Sequence, residues 1–305
     1  MKEFKVKQNY IGKDISYAIK KEFPHLSNSS LNKAFRIKDI KVNDKRVNKT
    51  YILNDQDIVK IYLTDNVLFG IPKDIFYAYE DENIIIAYKP KGVVSNFETG
   101  KKNENIPYFD ELVKKQKGAN IRICHRLDTN TEGLVIFAKN DVSYDEIIKS
   151  FEKHQIHKEY IALVYGKPKL ATAICHHYIL VDKNNGYSKI CETNVKNSKE
   201  CITEYSTLKY IKEKNCSILN IKLHTGRTHQ IRAHMKYLGT PVIGDSKYCT
   251  NEINAKFKLT SQVLFACKYS FNFEKESPLY YLNDIVVDIS DETQEKIYKL
   301  LNNSN

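Results

Sequence analysis

The sequence predicts an α+β fold built around a large, mainly antiparallel mixed sheet. Three observations lead there. From about residue 75 onward, short apolar or alternating runs of strand length dominate. Only two longer stretches in that region carry helical periodicity. Helices and strands do not alternate steadily, as they would in a doubly wound parallel sheet. The strand runs are 83–88, 133–138, 160–164, 204–210 and 217–223, and the helical stretches are 142–153 and 228–238.

The first 65 residues read as a separate small α+β module. A helix over 14–23 is stopped by Pro24. Residues 26–30 form a serine-containing loop that feeds a helix cap, and a short helix over 31–36 follows. Residues 40–43 and 57–63 alternate like strands, with a turn at Asp44-Lys45. Gly70 and Pro72 discourage regular structure over 66–74, which reads as a linker. The domain expectation is therefore 1–65, linker 66–74, and a larger unit over 75–305.

Forty-eight Lys and Arg against 37 Asp and Glu give a net charge of +11, which suits a polyanionic partner. The excess is uneven: residues 33–49 hold seven basic and two acidic side chains across a helix and a hairpin. Lys33, Arg36 and Lys41 are the candidate RNA contacts there. The order helix, loop, helix, basic hairpin resembles the S4 family of RNA-binding domains. The arginine that S4 domains often carry after the loop serine is not evident in Leu26-Ser27-Asn28-Ser29-Ser30.

Several classes of chemistry are absent. The seven cysteines are odd in number and form no C-x-x-C, so reduced, incidental thiols are expected. His154 with His157, and Cys175-His176-His177, lack a second half at metal spacing, so no metal is expected. Gly239 and Gly244 are the closest pair of glycines, which excludes G-x-G-x-x-G, and Gly244 is followed by Asp245, which excludes a P-loop. No H-E-x-x-H, G-x-S-x-G or deaminase signature occurs. The N-terminus has no apolar segment of signal-peptide type, and no apolar run approaches the roughly 20 residues that span a bilayer. A cytoplasmic protein is expected.

Two stretches concentrate polar chemistry. In Cys124-His125-Arg126-Leu127-Asp128-Thr129-Asn130-Thr131-Glu132-Gly133-Leu134, a dense polar turn runs into an apolar strand. Such a turn belongs at the rim of a sheet, where functional side chains collect, although an aspartate there also serves simply to satisfy turn amides. In Thr225-Gly226-Arg227-Thr228-His229-Gln230-Ile231-Arg232-Ala233-His234, a strand end passes into a helix. Arg227 falls near the helix start, where an anion is favoured. Gln230 and His234 share one helix face, as do Thr228 and Arg232.

Together, His-Arg-Leu-Asp-x-x-Thr-x-Gly-Leu followed by Thr-Gly-Arg-Thr-His-Gln-Ile-Arg-x-His closely resembles the RluA-type family of pseudouridine synthases. Other family-like pieces fall in order: Tyr79-Glu80-Asp81-Glu82-Asn83, Lys89-Pro90-Lys91-Gly92, Lys158-Glu159-Tyr160-Ile161-Ala162, and Gly244-Asp245-Ser246-Lys247-Tyr248. The resemblance spans roughly residues 76–275. Glu132, Ser95, Cys249 and Phe265 stand where the family commonly has serine, histidine, glycine and histidine.

The resemblance implies the pseudouridine synthase fold and a redox-neutral isomerisation that needs no cofactor. The bond from uracil N1 to ribose C1′ breaks, the base turns, and C5 joins C1′. It assigns Asp128 as the essential carboxylate, acting as nucleophile at the sugar or as base at the 2′ proton. It assigns Arg232 as the partner of Asp128, and Tyr160 as the ring lying against the uracil. Arg126 matches the side chain that fills the space of the flipped nucleotide. His125, Leu127, Arg227, His229 and Gln230 are expected to shape the pocket or touch the RNA. The implied partner is structured RNA, rRNA first and tRNA second, with the protein acting as a monomer. The competing reading is a non-catalytic RNA-binding or ribosome-assembly protein that retains the synthase fold.

Overall fold

The computed structural model describes residues 2–63, 67–68, 74–97, 108–182 and 186–303. Most of the expected linker, including Gly70 and Pro72, and the C-terminal Ser304-Asn305 lie outside the described residues.

The N-terminal segment folds as two helices on a four-stranded antiparallel sheet. Strands β1 (Lys2–Lys5), β2 (Ile40–Val42), β3 (Lys45–Arg46) and β4 (Ile58–Ile61) lie in the order β1-β4-β2-β3. The first strand was not expected from sequence: four residues with Phe4 as their one apolar side chain carry little signal, and pairing with β4 is what orders them. Helix α1 (Ile15–Glu22) starts at Asp14, whose carboxylate accepts the Tyr17 N–H, and ends before Pro24. Helix α2 (Asn28–Arg36) starts three residues earlier than expected. Ser27 accepts the Ser30 N–H and caps it, so the serine-rich stretch is the first helical turn rather than a loop. Asn43 and Asp44 both take positive φ, 48° and 63°, closing the β2–β3 hairpin with two residue types that tolerate that region. Ile15, Ile19 and Leu31 from the helices and Ile40, Val59 and Ile61 from the sheet form one apolar core, with Leu68 buried against it.

An 11-stranded sheet forms the rest of the protein. Its strands are β5 (Tyr77–Glu80), β6 (Ile84–Lys89), β7 (Arg122–Ile123), β8 (Glu132–Ala138), β9 (Ile156–Tyr165), β10 (Thr172–Asp182), β11 (Tyr187–Cys191), β12 (Lys199–Ile211), β13 (Cys216–Leu223), β14 (Leu264–Phe271) and β15 (Val286–Asp288). The main path is β11-β10-β12-β13-β9-β14-β8-β6-β5, with β7 on β8 and β15 on β14. Among the described strands only β14 and β8 pair parallel. At that crossing a Cβ on Gly133 would lie 2.1 Å from the Ala266 carbonyl oxygen, so the two strands meet only because residue 133 is glycine, at φ 117°.

Among the described residues, four helices cover this sheet: α3 (Phe109–Lys117), α4 (Asp141–Glu152), α5 (Gln230–Tyr237) and α7 (Ser290–Asn302), with the short α6 (Asn251–Lys256) preceding β14. β8 is buried along its whole length because both of its faces are covered. Val135 and Phe137 pack with Phe109 and Val113 of α3 and Ile231 and Met235 of α5. Leu134 and Ile136 pack on the opposite side with Ile147 of α4 and Tyr269. Burial on both faces replaces the period-two pattern with a continuous apolar run. Ile297 and Leu301 of α7 close a further core over Ile161, Leu163 and Ile218. Among the described residues, no helix is long and apolar enough to cross a membrane.

Candidate active site

The turn that precedes β8 carries Asp128, and buried polar side chains hold it from behind. The Thr131 N–H donates to the Asp128 carbonyl at 3.0 Å. The Ser95 hydroxyl brackets Leu127, accepting from its N–H at 3.0 Å and donating to its carbonyl at 2.8 Å. Lys89 is fully buried and donates to the carbonyls of Pro90, Val93 and Thr129 at 3.2, 2.8 and 3.1 Å. Those carbonyls match the three N–H bonds of an ammonium. Burial nevertheless pulls the Lys89 pKa down to about 7, against the upward pull of Glu132 and Asp128.

The other half of the site comes from the connection between β13 and α5. His229 takes a left-handed conformation, φ 56°, immediately before the helix. Gln230 fixes the turn with its whole amide. Its oxygen accepts from the Thr225 hydroxyl at 2.9 Å and the Arg227 N–H at 3.0 Å, and its nitrogen donates to the Ile202 carbonyl and the Thr203 hydroxyl.

Arg232 then faces Asp128. Its Nη1 donates to Asp128 Oδ2 at 2.8 Å, while Nε and Nη2 grip Asp245 at 2.6 and 2.9 Å. Asp245 is 0% exposed, and its Oδ1 also accepts the N–H groups of Lys247 and Tyr248. Asn254 ties Gly244 and Asp245 together through both ends of its amide. A Cβ on Gly244 would lie 2.1 Å from the Ser261 carbonyl oxygen, so this position also requires glycine. Burial alone lowers the Arg232 pKa, but Asp245 and Asp128 outweigh it, and the net shift is upward. The guanidinium therefore stays charged.

Asp128 keeps 21% of its side chain exposed, at the floor of a cleft of about 240 Å³. Tyr160 lines the same cleft from β9, and burial followed by the Asp128 charge pushes its phenol pKa up. His229 Nε2 lies 3.8 Å from Asp128 Oδ2, and Nδ1 lies 3.0 Å from the Tyr248 hydroxyl. Burial lowers the His229 pKa, and Asp128 opposes that. The arrangement can hold one ionised carboxylate, beside an aromatic face, under a basic rim formed by Arg126, Lys158 and Arg227.

The cleft brings together His125, Arg126, Leu127, Asp128, Tyr160, Arg227, His229, Gln230 and Arg232. Two of these take the pocket-shaping side of the expectation. The Gln230 amide spends its four hydrogen bonds within the protein and builds the turn. His125 is likewise turned into the protein. Its Nε2 accepts the Ile136 N–H at 3.0 Å, and burial pulls its pKa down to about 3. Leu127 is buried and forms part of the wall. Lys33, Arg36 and Lys41 are not in the cleft; they lie on α2 and β2 of the smaller sheet.

Sequence reasoning missed Asp245, Ser95, Lys89 and Lys158. Asp245 stood inside a family-like segment that received no role, and its signal was the glycine before it. Ser95 registered only as a departure from the family pattern. Lys89 and Lys158 each open a family-like segment, but nothing in the sequence marks how far either is buried. Glu132, another departure, is buried and neutralised by Lys296 at 2.5 Å and Lys91 at 3.5 Å, with the Tyr88 hydroxyl donating at 3.0 Å.

Comparison with known proteins agrees with this geometry. Residues 83–237 match the family model described as RNA pseudouridylate synthase. The ribosomal large subunit pseudouridine synthase C of Rickettsia felis is 30% identical over 88% of this chain and 94% of its own length. An uncharacterized RNA pseudouridine synthase of Mycoplasma capricolum is 30% identical over 94% of this chain and 97% of its own. Among solved structures, human RNA pseudouridylate synthase domain containing 1 superposes with a TM-score of 0.56 at 22% identity, covering 68% of this chain and 82% of that one; it shows the shared fold. The fold and the site thus define an RNA-modifying isomerase. The chain belongs to the RNA pseudouridylate synthase family, of the RluA type.

Proposed function

We propose that this synthase isomerises specific uridines in large-subunit rRNA, with Asp128 as the essential carboxylate. The observation that carries the reading is the ion pair from Arg232 to Asp128, at 2.8 Å on a cleft floor. Burial raises the cost of a carboxylate charge, and the guanidinium offsets it. Asp128 acts on the ribose as nucleophile at C1′ or as base at the 2′ proton; the N1–C1′ bond breaks, the base turns and C5 bonds to C1′, after which C5 gives up its proton to solvent and N1 takes one up. Tyr160 offers its face to the uracil, a surface that holds a flat base yet permits rotation. Arg126 occupies the space of the extruded nucleotide and offsets part of an unstacking cost of roughly a few kcal/mol.

The rRNA target rests on the relatives whose names specify the ribosomal large subunit; tRNA is the second candidate. Residues 1–65 serve as an S4-like RNA-binding domain, 66–74 as the linker and 75–305 as the catalytic domain, acting as a cytoplasmic monomer. The separate apolar core of the first module and its exposed Lys33 and Arg36 support two units, although Leu68 belongs to that core and carries the first unit beyond residue 65.

The reaction exchanges the hydrogen at uracil C5, which gives a direct test. Purified protein is incubated with large-subunit rRNA that carries tritium at C5 and comes from a strain lacking the gene. Tritium released to water in proportion to pseudouridine formed supports the proposal. Release only from tRNA would move the target, and release from neither would overturn the reading.

A further inference from the structure

A second cleft of about 500 Å³ adjoins the first and shares Lys158 and Arg227 with it. Its interior is made by Phe151 at the end of α4, with apolar side chains behind, and its rim carries Glu152, His154 and His224, the last paired with Glu204 at 2.8 Å. Lys158 stands between the two clefts. Its ammonium lies 4.7 Å from the Phe151 ring centroid and against the backbone of Gly226, and among the described residues no carboxylate or carbonyl accepts a hydrogen bond from it. Arg227 is held by one edge, Nε donating to the Glu200 carbonyl at 3.0 Å, while the residue stays exposed at both cleft mouths. A half-buried cation with no hydrogen-bond acceptor among the described residues, an arginine beside it, and an aromatic wall in the cleft next to that of Asp128 together match a nucleotide: phosphate at the cations, base on the ring.

We propose that this second cleft is a subsite for a nucleotide flanking the target uridine. Lys158 and Arg227 hold the phosphate that joins the two nucleotides, and the flanking base stacks on Phe151. The inference rests on the proposed RNA reaction, and it adds that recognition reaches one base beyond the modified one. It also gives a reason for Lys158 to remain uncompensated in the free protein, since its counterion arrives with the substrate.

The test begins by mapping the uridine that the wild-type protein converts in unmodified large-subunit rRNA. If none is converted, the RNA reaction itself fails, and that failure is distinct from a failure of the subsite. A stem-loop containing the mapped uridine is then made in three forms: intact, abasic on the 5′ side, and abasic on the 3′ side. One abasic form should bind the wild-type protein roughly five- to hundredfold more weakly than the intact RNA. For Phe151→Leu, which keeps an apolar side chain in place, intact and abasic forms should bind within about twofold of each other. For Lys158→Gln, the slope of log affinity against log salt should fall by about one unit on every RNA, with Lys158→Arg restoring it. Wild-type affinity indifferent to both abasic changes, or an equal abasic penalty in wild type and Phe151→Leu, overturns the base subsite. An unchanged salt slope in Lys158→Gln overturns the phosphate contact.

Discussion

Asp245 holds Arg232 by two nitrogens of its guanidinium fork, at 2.6 and 2.9 Å, and so leaves Nη1 aimed at Asp128. The pair is buried and the third carboxylate oxygen in contact is not, so one cation serves a structural partner and a functional one. Arg232→Lys keeps the charge and loses the fork. The expected result is a fall in kcat of roughly a hundredfold from misplacement alone, with RNA affinity within about threefold of wild type. Single-turnover conversion and filter binding check this; equal losses in both would contradict it.

Asp245→Asn tests the same geometry from the other side. It leaves a buried guanidinium half-paired, which costs about 3–5 kcal/mol of stability. Thermal unfolding should show a lower Tm, and the protein that remains folded should turn over more slowly without a matching rise in Kd.

Lys89 links the Asp128 turn to the segment after β6. Lys89→Met fills the same volume and strands three carbonyls, costing about 3 kcal/mol or more. Urea unfolding should show a lower midpoint with an unchanged slope, since no additional surface is exposed. Retention of the wild-type midpoint would mean that the three hydrogen bonds are not made.

Two histidines held neutral by desolvation, His125 and His234, contribute to acid stability. Burial pulls His125 down to about 3 and His234 to about 4, from an ordinary 6.5. Between those values the unfolded chain binds the protons and the folded one does not, so the histidine contribution to stability falls as pH drops below about 6.5 and levels off near 3–4. His125→Gln offers an amide oxygen to the Ile136 N–H and cannot titrate. Its Tm should fall less than that of wild type between about pH 7 and about pH 5. An identical fall in the two proteins would contradict the assignment.

The parts of the fold that could be read in the sequence were those with local signals. Asp14 and Pro24 delimit α1, and the runs expected at 83–88 and 133–138 are strands, at Ile84–Lys89 and Glu132–Ala138, because both faces of the sheet are covered there. β10 and β11 escaped notice because their polar faces meet solvent and alternate weakly; their order comes from pairing with β12 and with each other. The same division holds for the site. Asp128 and Arg232 stand in recognisable motifs 104 residues apart, whereas Asp245 and Lys89 matter only through burial, a property of the fold. Gln230 and His125 show what a motif alone leaves open: whether a polar residue shapes the pocket or touches the RNA is decided by hydrogen bonds within the protein.

The Asp128 carboxylate is central to the proposed isomerisation, and one experiment bears on it most directly. A strain lacking the gene is supplied with wild-type protein or with Asp128→Asn at equal level, and pseudouridines are mapped across total RNA. Wild type should restore the missing position while Asp128→Asn leaves it as uridine, although the purified variant binds the same RNA within about threefold of wild type, because the amide keeps the shape of the carboxylate and lacks its charge. Full restoration of the pseudouridine by Asp128→Asn would contradict a catalytic role for this carboxylate.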